Sequence, residues 1–447
     1  MTRPTRLLLL ALACCPLTLA SPVAAQDRLA APEQRVRAAI AAAREEQVAY
    51  LQKVVDIPSS TLNLDGVRRV GAVFRASLDS LGFTTTWVTM PDAVERAGHL
   101  VAEHRGKAGT ARLLLIGHLD TVVEPAGPTF AREDSIARGV GSGDMKGGDV
   151  VVLFALKALH AAGLLKDLNL TVVFTGDEEH PGLPLELSRR DLIEAARRND
   201  IALGFEGGNR GDATVARRGA SAWRVEATGR QAHSAGVFGP AAGYGAVYEI
   251  ARIVDGFRRA LAGEQYLTFN AAMILGGTDV KYDTVAIGGT AGTKLNIVPR
   301  TAIAHGDLRF ISEEQKERAR GKMRAIVAEH LPGTDATISF LDEYPAMSPT
   351  PGNAKVLAVY DAASRALGWG EVAALDPGRR GAGDISFVAP LIDGLDGLGT
   401  IGSGAHAPEE NISLPGLHMQ TERAALLLYR LGRRPAADFT RVPASDQ

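Results

Sequence analysis

A histidine and an aspartate two residues apart close the apolar run Leu113–Ile116, in the string Gly117-His118-Leu119-Asp120-Thr121. On a strand, residues i and i+2 share a face, so the Asp120 carboxylate can hold the His118 imidazole while its other nitrogen binds a metal. The plainer alternative is a strand-end histidine tied to a carboxylate with no metal at all. Twenty-six residues on, Asp144 stands in Gly141-Ser-Gly-Asp144-Met-Lys-Gly-Gly148, a glycine-rich turn ahead of a helix. Glycine lets the backbone approach an ion closely, and no Lys-Ser/Thr pair follows, which removes the phosphate-cradle alternative.

Three further candidates follow the same pattern. The run Leu170–Phe174 ends in Thr175-Gly-Asp177-Glu178-Glu179, where three adjacent carboxylates repel one another and a cation is the simplest thing to hold them together. A solvated acidic loop is the bland alternative. Glu206 closes the run Leu203-Gly-Phe205, and His406 stands in Gly402-Ser-Gly-Ala-His406, ahead of Pro408-Glu409-Glu410-Asn411. Ligand sites in open α/β sheets favour the carboxyl ends of strands, where several of these residues fall. Together they supply two imidazoles and several carboxylates, a set that suits Zn²⁺ where thiols are lacking.

The elements that position these residues fall into two textures. Helical spacing of apolar residues over 32–55 and 67–81 predicts two opening helices, followed by strands at 83–88, 113–116, 170–174 and 202–205 and a helix over 150–162. Continuous apolar strands alternating with helices read as a covered α/β sheet. The middle of the chain instead orders as strand 221–228, helix 243–262, strands 267–275 and 301–310, helix 313–330 and strand 336–341, a ferredoxin-like βαββαβ layer. Helical texture returns at 354–367 and 419–431. The expectation is a discontinuous catalytic domain over 26–216 and 346–436, an inserted domain over 217–345, and a flexible tail over 437–447.

Composition bounds the rest. With 447 residues, 46% hydrophobic and 22% charged, the chain exceeds what one core usually serves. A formal charge of −2 offers no basic footprint for nucleic acid. The start reads as a signal peptide over 1–25: Arg3 and Arg6, an apolar run from Leu7 to Ala20, then Val23-Ala24-Ala25. That run is interrupted by Pro16 and falls short of the roughly 20 residues a membrane span needs. Cys14 and Cys15, the only cysteines, lie inside it, so the mature chain carries no thiol for a disulfide or thiolate site. A lipid attachment at these cysteines is the competing reading, against which the preceding residues make a poor acylation box. The mature protein is expected to be exported, periplasmic or secreted, with no membrane span.

The ordered set of motifs resembles the zinc metallopeptidase family of glutamate carboxypeptidase, aminoacylase and succinyl-diaminopimelate desuccinylase, from about residue 36 to residue 431. The resemblance implies two Zn²⁺ per chain. His118 and Glu206 would hold one, Glu179 and His406 the other, and Asp144 would bridge both. Glu178 would be the general base, with Asp120 supporting His118. The fold implied is a zinc-peptidase α/β domain with a central mixed, mostly parallel sheet flanked by helices, plus an inserted ferredoxin-like lid that can pair two chains as a homodimer.

In Gly229-Arg-Gln-Ala-His233-Ser234, His233 matches a lid histidine that reaches the scissile carbonyl, often across a dimer; without the resemblance it would read as a surface histidine. Asn296 and Arg309 match lid positions that bind the substrate carboxylate, for which a guanidinium fork is well shaped; for Arg309 a structural salt bridge is the alternative. Gly383 and Asp384 match a site-lining turn, and the family also implies a cis peptide after Asp144. After Glu179 the sequence departs from the family with His180-Pro181-Gly182-Leu183-Pro184, where His180 is either a rim residue or an extra ligand or substrate contact.

The implied activity is hydrolysis of an amide bond that releases a C-terminal amino acid. The partners are a small peptide or N-acyl amino acid with a free carboxylate. A di-zinc aminopeptidase is a rival, weakened by the large insertion, and an inactive extracytoplasmic peptide-binding protein is another, weakened by the complete ligand set.

Overall fold

The computed structural model describes residues 28–284 and 286–439. The expected signal peptide and the stretch 440–447 lie outside the described residues. At the centre is a six-stranded sheet in the order Thr84–Val88, His99–His104, Asn169–Thr175, Arg112–His118, Ile201–Gly204, Asp393–Leu395. The first two strands are antiparallel to their neighbours and the remaining four run parallel. This is the mixed, mostly parallel sheet that the resemblance implies.

Period-two alternation sends side chains of one strand to two cores. Leu113, Leu115, Val172, Phe174 and Leu203 face a large cluster built with the helices Leu64–Ser80, Lys146–Ala161 and Leu414–Gly432. Leu114, Ile116, Val173 and Ala202 face a smaller one with Arg190–Arg198 and Ile385–Val388. Both faces being covered explains why these strands read as unbroken apolar runs. The helix Lys146–Ala161 starts hard against the sheet. A Cβ on Gly147 would fall 2.0 Å from the Ser142 carbonyl oxygen and one on Gly148 2.0 Å from that of Phe205, so only glycine permits this approach.

The inserted layer is a four-stranded antiparallel sheet in the order Thr268–Gly277, Thr301–Phe310, Gly219–Gly229, Thr334–Asp342. Helices Ala246–Leu261 and Glu313–Ala328 cover one face, and their shared core is built round Trp223, Phe257, Leu308 and Met323. Two connections join it to the main sheet, and they pair with each other: Arg217 and Met347 exchange backbone hydrogen bonds of 2.9 and 3.1 Å, and the Ala220 amide donates to the Tyr344 carbonyl at 2.8 Å.

Several expectations change. The predicted helix over 32–55 is two helices, Ala31–Ala42 and Arg44–Val55, because Ala43 leaves helical geometry with φ −96° and ψ 8°. A hairpin, Asp279–Asp283 with Gly288–Gly292, stands between two lid strands where no strands were expected. Where the expected tail begins, Ala436–Asp438 form a 3-10 turn and Phe439 packs on the main core.

Trp223 is 1% exposed and meets Phe257 edge-on with centroids 5.4 Å apart. Trp223→Ala should therefore cost about 3–5 kcal/mol by leaving a cavity in the lid core. Urea denaturation reads this, and a loss below about 1 kcal/mol would mean that the lid core does not depend on the ring.

Candidate metal centre

The strand Arg112–His118 delivers His118 at its carboxyl end, 1% exposed. Its Nδ1 lies 3.0 Å from the Asp120 carbonyl oxygen and 3.4 Å from the Asp120 carboxylate. Its Nε2 lies 3.2 Å from Asp144 Oδ1 and 3.8 Å from Glu206 Oε1. On the other side of Asp144, Oδ2 is 3.1 Å from His406 Nε2, which is 3.4 Å from Glu179 Oε2. Two ligand-type triads thus form, His118 with Asp144 and Glu206, and Asp144 with Glu179 and His406; the donor atoms of each lie within 4.8 Å of one another. Asp144 belongs to both. Glu178 joins a third such group with His118 and Glu179.

A buried scaffold fixes these groups. Asp120, fully buried, accepts the Glu178 amide on Oδ1 and the Glu179 amide on Oδ2, each at 3.1 Å, and the Thr61 hydroxyl at 2.6 Å. One carboxylate therefore orients His118 and both glutamates. Glu410 accepts the amides of Gly141, Gly143 and Asp144 at 2.6, 2.6 and 2.7 Å, which holds the glycine-rich loop against the segment that carries His406. His406 itself takes φ 64°, a left-handed conformation that non-glycine residues rarely adopt. The peptide bond Asp144–Met145 is cis, as the resemblance implies.

Burial makes the cluster a poor place for unneutralised anions. Desolvation, together with the nearby Asp144 carboxylate, raises Glu179 to about 8 and Glu206 to about 7. Burial pushes Glu178 well above the usual carboxylate range, with Glu206 adding to the effect. Asp144 is lowered: burial opposes its charge, but hydrogen bonds from His118 and His406 outweigh that. Hydrogen bonding to Asp144 lifts His406 to about 9. Among the described residues Glu179 Oε1 is buried with no hydrogen-bond partner. Imidazole and carboxylate donors, an orphaned carboxylate oxygen and no thiol fit a pair of divalent cations, with His118 and Glu206 on one, Glu179 and His406 on the other, and Asp144 between.

The defining pattern of peptidase family M20/M25/M40 matches residues 114–430. The chain belongs to that family. It is accordingly a metallopeptidase. Carboxypeptidase G2 of Pseudomonas sp. (strain RS-16) is 29% identical to this M20 chain over 408 residues, covering 88% of it and 91% of the relative. Among solved structures, aminopeptidase PepT of Bacillus cereus superposes with a TM-score of 0.68 at 17% identity, covering 87% of this chain and 99% of that one. The YXEP protein of Bacillus subtilis, described as a dinuclear metal binding peptidase of the family, superposes at 0.60 with 14% identity, over 88% of this chain and 99% of its own.

The remaining expected residues fall elsewhere. Asp177 does not face the cluster: it pairs with the fully buried Arg189 at 2.7 Å and accepts Ser188 and the Gly182 amide. The sequence reading of three carboxylates sharing one cation therefore shrinks to Glu178 and Glu179. Asp384 is 3% exposed and spent on Arg189 and the Thr175 hydroxyl, at 2.7 and 2.6 Å, so it supports the strand end and is closed to substrate. Gly383 makes room for the Arg217 guanidinium, 3.0 Å from where a Cβ would sit. Among the described residues His233, Asn296 and Arg309 make no hydrogen bond or ion pair to the cluster. His233 accepts the Ala235 amide, Asn296 presents its carbonyl to the Ser234 amide, and Arg309 pairs with Asp307 at 3.1 Å. His180 is exposed and outside every metal-ligating group found among the described residues; its carbonyl holds Arg96.

Thr61, Arg189 and Tyr344 escaped the sequence reading. The Tyr344 hydroxyl donates to the Glu178 carbonyl at 2.7 Å, which ties the connection out of the lid to the segment of the candidate base. None of the three carries a motif; only Glu410 stood beside one, in the string after His406.

Because Glu179 and Glu206 keep their protons up to about 8 and about 7 without a cation, metal must displace them. Zinc affinity should then rise with pH through that window, and loading at pH 7 should release roughly one proton or more per chain. Calorimetry in buffers of differing ionisation enthalpy counts the protons; a count of zero contradicts the assigned ligands.

Proposed function

We propose that this M20 metallopeptidase uses two zinc ions to hydrolyse the amide bond of a small peptide or N-acyl amino acid, releasing an amino acid with a free C-terminal carboxylate. The observation that carries the reading is the sharing of Asp144 between two ligand triads, with Glu178 beside both. When bound, such a metal pair supplies Lewis acidity to a water and to the scissile carbonyl. Glu178 is not needed to complete either triad. Its carboxylate takes the proton from the attacking water and passes it to the departing nitrogen, so the amine leaves neutral.

Asp120 keeps Glu178 in place through its amide, and Tyr344 does so through its carbonyl. Arg309, 37% exposed on the lid and paired among the described residues only with the half-exposed Asp307, is suited to exchange that partner for the substrate carboxylate. Asn296 and His233 lie on adjoining lid segments, and the exposure of His233 suits a contribution made across two paired lids, where it would stabilise the oxyanion. The carboxypeptidase G2 relative supports release from the C-terminal side. Export through the N-terminal segment completes the proposal; among the described residues no helix is long and apolar enough to cross a membrane.

Glu178→Gln should keep its bound zinc and lose about 10²–10⁴-fold in kcat. Metal analysis and turnover on dipeptides and N-acyl amino acids read the two quantities, and near-normal turnover would remove Glu178 from the role of base. Amidating the substrate's terminal carboxylate should lower kcat/KM by at least about tenfold through loss of the Arg309 contact. Equal rates for free and amidated substrates would exclude that contact.

A further inference from the structure

A cleft of about 640 Å³ lies between the helices Ala31–Ala42, Pro351–Leu367 and Leu414–Gly432. Five cations line it, Arg28, Lys355, Arg430, Arg433 and Arg434, against a single acid, Glu33. That acid is spent within the fold: one oxygen pairs with Arg430 at 2.7 Å and the other accepts the Ala30 amide at 2.9 Å. Each of the other two helices carries one acid, and neither lines the cleft. Asp361 pairs with Arg365 at 2.9 Å, and Glu422 accepts the Trp369 indole at 2.9 Å with Arg37 3.6 Å away. Among the described residues Arg28, Lys355, Arg433 and Arg434 form no ion pair. The Arg433 guanidinium donates only to the neutral Tyr429 hydroxyl, at 2.9 Å.

A well-solvated charged surface intersperses both signs. Here the acids of all three helices are engaged elsewhere, so a concavity is left with one sign on its rim, and its low-dielectric walls focus that field inward. The buried Val359 and Tyr429 give it an apolar floor, and its volume suits an organic molecule. Three of the four unpaired cations are arginines, whose planar forks match the oxygens of phosphate groups. The Ala111 amide donates to the Arg434 carbonyl at 2.9 Å, which places the cleft where the strand Arg112–His118 begins. The length of that strand, roughly 20 Å, separates the cleft from the metal cluster at the other end. An occupant there leaves the cluster untouched.

We propose that this cleft binds two phosphate groups carried on one small organic body. That chemistry is shared by a soluble bisphosphate ester and by the two-phosphate headgroup of a lipid such as cardiolipin. Two probes distinguish the sources on the zinc-loaded full chain. Fructose 1,6-bisphosphate is titrated by calorimetry, and phosphatidylcholine vesicles with and without cardiolipin are compared by flotation. The ratio between the two vesicle types cancels any contribution of the apolar run from Leu7 to Ala20.

A variant carrying Arg28→Gln, Lys355→Gln and Arg434→Gln alters three exposed side chains and should keep its zinc and its hydrolytic rate. It should lose about tenfold or more in affinity for the bisphosphate, in the cardiolipin ratio, or in both. A loss confined to the first assigns a soluble ester, a loss confined to the second assigns the lipid headgroup, and a loss in both means that the cleft accepts either source. Lys53→Gln, Arg68→Gln and Lys281→Gln together remove the same charge from exposed positions elsewhere, and should change neither quantity by more than about twofold. Should the first variant not fold, Lys355→Gln and Arg434→Gln are read singly, each with an expected loss of about threefold. Wild-type protein that binds neither probe, losses within about twofold for both, or an equal loss in the control overturns the proposal. Bisphosphate that still binds the cleft variant as tightly sits elsewhere, the zinc pair included.

Discussion

Anionic side chains crowded together away from water constrain this structure more than any other interaction. Asp144, Glu178, Glu179 and Glu206 converge where the strands Arg112–His118, Asn169–Thr175 and Ile201–Gly204 end, and only two imidazoles accompany them. Burial raises the cost of each charge, and every added carboxylate raises it again for its neighbours. Protons can relieve that cost only in part, since Asp144 remains ionised between two histidines. A divalent pair relieves it fully, and so the same feature that makes the apo cluster unfavourable makes it a strong ligand set.

The chain distinguishes structural acids from these by what it places beside them. Asp177 and Asp384 share Arg189, and Asp396 has Arg217, each an internal pair completed within the fold. Removing one partner of such a pair would strand a buried charge, which fixes the geometry behind the strand ends. Among the described residues the acids of the cluster form no ion pair with an arginine or lysine. Asp120 and Glu410 form an intermediate layer, anions stabilised largely by backbone amides, and those amides belong to the segments that carry the ligands. Neutralisation by guanidinium, by amide or by metal thus grades from the support outward to the reacting centre.

The sequence made the strand ends and the lid order legible because both rest on periodicity: unbroken apolar runs for a sheet covered on two faces, and alternation for the lid. His118, Asp144, Glu179, Glu206 and His406 were readable as candidates because each follows such a run or a glycine turn. What the sequence withheld depends on contacts between distant segments. Nothing local shows that Asp177 turns back to Arg189 while Glu178 and Glu179 face forward, since past the strand end the period-two rule no longer applies. Asp384 entered the site only through the resemblance, and nothing local shows that Arg189, 195 residues away, claims it. The hairpin Asp279–Asp283 with Gly288–Gly292 was overlooked although Val280 and Tyr282 alternate with Asp279, Lys281 and Asp283, because its second strand, Gly-Gly-Thr-Ala-Gly, offers no large apolar residue to mark it.

The division of labour between the two sheets follows from these contacts. Every residue of the two ligand triads comes from the main sheet or its loops, so the cluster can assemble whatever the lid does. Arg309, Asn296 and His233 stand on the lid and, among the described residues, make no bond to the cluster, so the substrate contacts proposed for them would come from a separate sheet joined through two paired connections. Tyr344 is the exception. Lying just beyond the last lid strand, it donates to the Glu178 carbonyl and packs at a tilt on Phe387 with centroids 5.0 Å apart. A shift of that connection would strain a 2.7 Å hydrogen bond to the segment of the candidate base before it disturbed any metal ligand. The arrangement therefore makes the position of Glu178, more than that of the metal ligands, answer to the seating of the lid.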